Sequence, residues 1–292
     1  MTASIYKLHF WGVRGSLPTP SSRKMRYGGN TSCLSIDLGD EEHLILDCGT
    51  GLRQLGNELA RRKVPQRFHV FITHYHLDHV IGLPFFQPLY NPESTFTVHG
   101  LTSGGTPVGE VLGGLMSPPY FPVNLKDVPA RMEYRDGGDA PFQVRDVTVH
   151  SLPLNHPNGS LGYRLERGDR RVVYATDHEH GNEAVDEALV EFSRDADYLI
   201  YDTTYEESEY EQLRQGWGHS TWYAAVQTAL KARVKKLILF HHHPDHTDEE
   251  LERLVELARK ELPATEIAAE GMELDFKRPG RRPTRRMVIS SF

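Results

Sequence analysis

The stretch Thr73–His79, THYHLDH, places four metal-ligating side chains, His74, His76, Asp78 and His79, within six consecutive positions. It follows the apolar run Val70, Phe71, Ile72 and precedes Gly82. The cluster is therefore predicted at the C-terminal end of a buried strand, on the kind of connection that carries function in α/β folds. At a strand end, His74 and His76 sit two apart and point to one side. Asp78 and His79 follow after a turn and face a second point nearby. Such an arrangement suits two cations, held about 3.5–4 Å apart in two-metal hydrolytic sites, better than it suits a surface run of histidines.

Four ligands are too few for two ions, so others are expected elsewhere. The pattern of an apolar strand followed by a ligand recurs at His156 after SLPLN, at Asp177 after VVYAT and at His241 after LILF. The chain has 16 histidines, clustered at 74-76-79, 178-180 and 241-242-243-246, and neutral imidazole is the commonest side-chain metal ligand. Spacing alone leaves open which of His241, His242 and His243 is the ligand.

Composition narrows the class. The chain has 292 residues, 38% of them hydrophobic, which suits a globular protein. Its formal net charge of -7 provides no overall basic field to recruit nucleic acid. The two cysteines, Cys33 and Cys48, exclude a disulfide framework and a cysteine-rich zinc knuckle. The N-terminal MTASIYKLHFWGVRGS is short of apolar length and is broken by glycines and Arg14. It resembles neither a signal peptide nor a membrane span, so a cytoplasmic location with no membrane association is expected.

Strands are predicted at 5–12, 31–39, 42–51, 67–76, 142–154, 161–168, 170–177, 197–205 and 235–241. Helices are predicted at 52–62, 182–194, 220–233 with Ser220 as N-cap, and 248–262. Residues 101–130 are rich in glycine and proline, and read equally well as a lid over the site or as an ordinary surface excursion. The element order favours one domain, 1–276, with two sheets and outer helices. A tail at 277–292 follows, with six basic residues between 277 and 286.

THYHLDH, with His156, Asp177 and His241 following in that order, resembles the metallo-β-lactamase superfamily from about residue 5 to about 276. The resemblance implies an α+β fold, a four-layer αββα sandwich with two metals at one edge of the sheets. It implies His74, His76 and His156 on the first metal, Asp78, His79 and His241 on the second, and Asp177 bridging. His241 is taken because the family's last histidine directly follows its strand. An aspartate at 177 is similar to the hydrolase branches with a bridging carboxylate, whereas the β-lactamases proper have a cysteine nearby. His76 separates the chain from the flavodiiron oxygen reductases, which carry a glutamate there.

ITHYHLDHVIGL, LPLNHPNGSLGYRLE and EGMEL resemble the phosphodiesterase branch. That branch includes the phosphoribosyl cyclic phosphodiesterase of phosphonate breakdown and the transfer-RNA 3′-processing endonucleases. There a histidine at the start of the helix before the last strand contacts phosphate and protonates the leaving oxygen, and His219 in GWGHSTW occupies that place. The cysteine-rich structural zinc site of the phosphonate-pathway enzyme is absent, and 101–130 is short and without a basic cluster, unlike the endonucleases' arm.

The expected protein is thus a hydrolase with two divalent ions, zinc first and manganese or iron open. Its expected substrate is a small cyclic nucleotide or sugar cyclic phosphodiester. Asp78 and His219 are the catalytic candidates, Arg14 and Tyr120 join His219 in substrate binding, and Asp47 supports a ligand. RNA is the less favoured partner, and a homodimer is common in the branch. The rival readings are a transfer-RNA 3′-processing endoribonuclease, a glyoxalase-II-like thioester or lactone hydrolase, and a non-catalytic metal-binding sensor.

Overall fold

In Lys7–Gly12 (β1) every second side chain is buried, the alternation of a strand with one face on a core. The computed structural model describes residues 6–137 and 141–277. Its first sheet continues through Cys33–Gly39 (β2), Glu42–Leu46 (β3), Arg67–Phe71 (β4), Thr95–Gly100 (β5) and Arg131–Asp136 (β6). The second is built from Phe142–Val144 (β7), Val147–Leu154 (β8), Ser160–Arg167 (β9), Arg170–Ala175 (β10), Tyr198–Asp202 (β11), Leu237–Phe240 (β12) and Thr265–Ile267 (β13), after which Glu273–Asp275 (β14) returns to pair with β1. The strand orders are β14-β1-β2-β3-β4-β5-β6 and β13-β12-β11-β10-β9-β8-β7.

Leu8, Phe10, Leu34 and Ile36 of the first sheet share one buried cluster with Leu165, Tyr174, Ile200 and Ile238 of the second, so the two sheets pack on each other. Helices cover the outer faces. Leu52–Ala60 (α1) lies on the first sheet, with the short Leu77–Val80 (α2) and with Val108–Leu115 (α3). Glu183–Phe192 (α4), Trp222–Lys231 (α6) and Asp248–Glu261 (α7) lie on the second, while Glu207–Glu209 (α5) belongs to the connection before α6. Two sheets between two helical layers give the αββα sandwich expected from the sequence. No helix among the described residues is long and apolar enough to cross a membrane.

Parallel pairing places the site. β3 runs parallel to β4, and β10, β11 and β12 run parallel to one another. Their C-terminal ends deliver Asp47, Thr73 and His74, Asp177, Asp202 and His241. Asp47, Asp177 and His241 adopt left-handed φ values of 59°, 54° and 60°, so each chain leaves its strand in a sharp turn that costs a non-glycine residue about 1–2 kcal/mol.

Several boundaries differ from expectation. β4 stops at Phe71, because the chain turns through 73–79. β5 and β6 were not anticipated: Thr95–Gly100 is short, and Arg131–Asp136 is a charged edge strand. The run 142–154 folds back on itself as the β7–β8 hairpin. The N-cap of α6 is Thr221, whose side chain accepts from the Ala224 N–H, while Ser220 Oγ donates to the His178 carbonyl at 2.6 Å. The basic run expected as a tail lies, beyond Lys277, outside the described residues.

β5 carries a feature with a measurable cost. His99 stacks on Phe71 at 4.4 Å between centroids, and its Nε2 has no hydrogen-bond partner. Burial, aided by His69 and Arg135, pushes its pKa down to about 4. As pH falls from about 6.5 toward 4, the unfolded chain takes up a proton that the folded chain refuses, so folded stability is lost over that window. His99→Phe is expected to lose about 1–2 kcal/mol less than the parent between pH 7 and pH 5, read from urea midpoints at both values. An equal loss in both proteins refutes the assignment.

Candidate metal centre

Asp177 stands at the middle of the cluster and is wholly buried. Its Oδ1 lies 3.6 Å from His74 Nε2 and 3.8 Å from His156 Nε2. Its Oδ2 lies 3.1 Å from His79 Nε2 and 3.3 Å from His241 Nε2. One carboxylate thus faces two sets of imidazoles with its two oxygens. His76 joins the first set, its Nδ1 3.1 Å from His156 Nε2. Asp78 joins the second, its Oδ2 3.2 Å from both His79 Nε2 and His241 Nε2. His74, His76, His156 and Asp177 form one grouping able to hold a cation, and Asp78, His79 and His241 another.

The outward-facing nitrogens are already held. His79 Nδ1 donates to Asp47 Oδ2 at 2.9 Å, and the Tyr174 hydroxyl donates to the same oxygen at 2.9 Å. His156 Nδ1 donates to the Gly218 carbonyl at 2.7 Å. His241 Nδ1 lies 3.0 Å from Thr204 Oγ1, and His74 Nδ1 3.1 Å from Thr73 Oγ1. Such partners set the tautomer, which leaves the inner nitrogens as lone-pair donors. Glycine permits two close approaches: a Cβ on Gly15 would stand 2.3 Å from His241 Cε1, and one on Gly218, at φ +87°, 2.2 Å from His156 Nδ1.

The electrostatics fit cations. Burial lowers the pKa of His74, His76 and His156, which keeps them in the neutral, ligating form. His79 is also fully buried, which alone would lower it, yet Asp177, Asp78 and Asp47 raise it well above the usual range. Burial would raise Asp177, but His241, His79 and His74 hold it well below the usual carboxylate range. The centre therefore calls for positive charge among buried carboxylates. His74 Nε2 is buried with no hydrogen-bond partner, as a ligand atom aimed at a cation would be.

Asp202 and His219 form a pair beside this centre. His219 Nδ1 donates to Asp202 Oδ2 at 2.8 Å. Burial would lower the pKa of His219, but the Asp202 carboxylate, with Asp177 behind it, raises it to about 9. Asp177, Asp202, His219 and His241 also group closely enough to hold an ion. Asp202, however, accepts from five donors: the Asp177, Thr204 and Ser220 N–H groups, the Thr204 hydroxyl and His219. Its lone pairs are occupied, and it serves as the partner of His219.

Of the predicted residues, the structure brings His74, His76, Asp78, His79, His156, Asp177 and His241 into one cluster with His219 beside it. Of the three consecutive histidines it is His241 that enters; His242 is buried with Nε2 on the Ala268 carbonyl, and His243 faces away toward Tyr205 and His246. Arg14 is a correction. Its side chain is fully buried, and its guanidinium donates to the carbonyls of Gly28, His243 and His246 at 2.8–3.0 Å. It ties the 241–247 turn to the N-terminal loop, with no opening to a substrate. Tyr120, by contrast, is 81% exposed, at the rim of an apolar cavity of about 540 Å³ lined by Leu77, Phe85 and Phe121 among others. Sequence reading missed Asp202, although YLIYD repeats the pattern of a strand ending in a ligand type. It also missed Thr73, Tyr174 and Thr204.

Comparison with known proteins agrees with this geometry. The family model described as the beta-lactamase superfamily domain matches residues 42–242. Ribonuclease Z of Thermoplasma acidophilum is 24% identical over 94% of this chain and 98% of its own length. The metallo-beta-lactamase fold protein YhfI of Bacillus subtilis superposes with a TM-score of 0.68 at 20% identity, covering 92% of this chain and 98% of the other. A diphosphatase of the PhnP family gives 0.67 at 21% identity, covering 93% and 98%. A fold of two covered sheets, a shared carboxylate between two histidine sets and a family match across most of the chain lead to one assignment: the protein is a hydrolase that belongs to the metallo-β-lactamase superfamily.

Proposed function

We propose that the protein is a two-metal phosphodiesterase acting on a small cyclic phosphodiester, a cyclic nucleotide or a sugar cyclic phosphate. The observation that carries this is Asp177, which turns one oxygen to each histidine set with the His219–Asp202 pair alongside. His74, His76 and His156 would hold one ion, Asp78, His79 and His241 the other, and Asp177 both. Bound there, two divalent ions supply Lewis acidity and bring the pKa of water toward neutrality. Imidazole and carboxylate ligands suit zinc, with manganese and iron as alternatives.

The chain's own groups do the rest. Asp78 keeps Oδ2 on the Ser16 N–H at 2.7 Å and toward His79 and His241, and its Oδ1 orients the attacking water. His219, fixed through Nδ1, gives the proton on Nε2 to the leaving oxygen. A small substrate is supported by residues 101–130, which contain Lys126 against Glu110 and Asp127 and no arginine. That is too little positive charge to follow an RNA backbone. Tyr120, on its apolar cavity, would meet a base.

A second reading is a transfer-RNA 3′-processing endoribonuclease, favoured by the full-length match to a protein named ribonuclease Z. One panel separates the two. The metal-loaded protein is assayed on 2′,3′- and 3′,5′-cyclic nucleotides, bis(p-nitrophenyl) phosphate, precursor transfer RNA with a 3′ trailer, and a thioester. A cyclic nucleotide should be hydrolysed and the precursor left intact. Trailer removal without cyclic-nucleotide hydrolysis replaces the proposal by the endonuclease, and thioester turnover alone overturns both.

A further inference from the structure

Glu179 is a buried carboxylate that the chemistry above does not use. Its Oε1 accepts from the Gly216 N–H at 2.6 Å and from the Tyr210 hydroxyl at 3.0 Å, and its Oε2 accepts from the Gly218 N–H at 2.7 Å. Its own backbone is clamped beside His156: the Glu179 N–H donates to the Asn155 carbonyl at 2.8 Å, and Asn155 Nδ2 returns a bond to the Glu179 carbonyl at 2.7 Å. The turn that Glu179 grips reaches the centre twice. The Gly218 carbonyl accepts a hydrogen bond from His156 Nδ1, and the next residue is His219. No helix or strand supports residues 215–219, so this carboxylate supplies two of the bonds that hold the turn and ties it to Tyr210 in the segment before it. Bonds to an ionised acceptor are roughly twice as strong as neutral ones.

We infer that Glu179 is a positioning residue: it fixes the 216–218 turn so that His219 as proton donor and His156 as ligand share one frame. The inference rests on the phosphodiesterase reading for the role of His219, and on geometry alone for His156. Glu179→Gln is the informative variant. It preserves size but brings an amide NH₂ against a backbone N–H, so one donor loses its acceptor and the charge is gone. A loosened acid slows substrates in proportion to their need of a proton. An alkoxide leaving group needs one, and a p-nitrophenolate scarcely does. A role confined to folding would slow both alike.

The experiment compares parent and Glu179→Gln, both zinc-loaded, on bis(p-nitrophenyl) phosphate and on uridine 2′,3′-cyclic phosphate. Zinc affinity is measured in parallel against a competing chelator. The alkoxide-to-aryl ratio of kcat should fall about tenfold or more, and zinc affinity at one site about tenfold. Where the parent turns over both substrates, an unchanged ratio overturns the inference. Where the parent turns over one or neither, the zinc arm decides: a drop upholds the positioning of His156, and unchanged affinity overturns it. Turnover of neither substrate counts separately against the phosphodiesterase.

Discussion

In protein loaded with zinc, Asp177→Ala is expected to reduce the bound metal from two ions per chain to one or fewer and to lower phosphodiester turnover by about 10³-fold or more. The size follows from the double duty of the side chain. Its Oδ1 faces His74 and His156 and its Oδ2 faces His79 and His241, all within 3.8 Å. Without it, His74 and His156 converge with no carboxylate beside them and Asp78 alone serves His79 and His241, so a cation at the first set loses the charge that offset its desolvation. Several kcal/mol of transition-state stabilisation from the ions disappears with them, and each 1.4 kcal/mol is about tenfold in rate. Atomic emission gives the metal count and bis(p-nitrophenyl) phosphate the rate. Asp177→Asn keeps the shape without the charge and should fall between parent and alanine variant. An alanine variant that kept two zinc ions and activity within tenfold would show that Asp177 does not bridge.

His219→Ala should give the opposite division: full zinc content, with kcat lower by about 10²–10⁴-fold on alkoxide leaving groups. The ring donates to Asp202 and is raised to about 9, so it carries its proton at neutral pH. That proton is lost as pH rises through the same range, and cations bound nearby move the transition lower. The parent's rate should therefore show a falling alkaline limb at or below about pH 9, and the variant should lack it. A limb of unchanged position in His219→Ala would assign the titration to another group.

Most of the centre was legible because ligating residues cannot stand idle beside apolar strands. THYHLDH pointed to two sets of ligands, and one repeated pattern pointed to His156, Asp177 and the histidine run 241–243, from which the family resemblance singled out His241. Asp202 escaped although it obeys that pattern, because its task is to hold His219 and the sequence does not say which histidine a carboxylate meets. Arg14 was misread for a related reason. An arginine in a loop of glycine and proline looks exposed, and only the fold reveals that its guanidinium is enclosed by carbonyls more than 200 positions away. β5 and β6 were missed although each carries a short alternation, Phe96 and Val98 in one and the half-buried Met132 and Tyr134 in the other, because both are brief and border the glycine- and proline-rich segment 101–130. Glu179 gave no signal, since a carboxylate gripping backbone N–H groups leaves no periodic trace.

The left-handed turns at Asp47, Asp177 and His241 bear on how such a protein changes over generations. Glycine is the residue each of these positions would favour on backbone grounds alone, and a mutation to glycine would relieve local strain. Selection for a sturdier fold and selection for the chemistry therefore pull in opposite directions at the same three codons. A lineage released from its catalytic duty would be expected to drift toward glycine there, while its buried sheets stayed as they are. The identity of those three residues in any descendant would then record whether the centre was still in use.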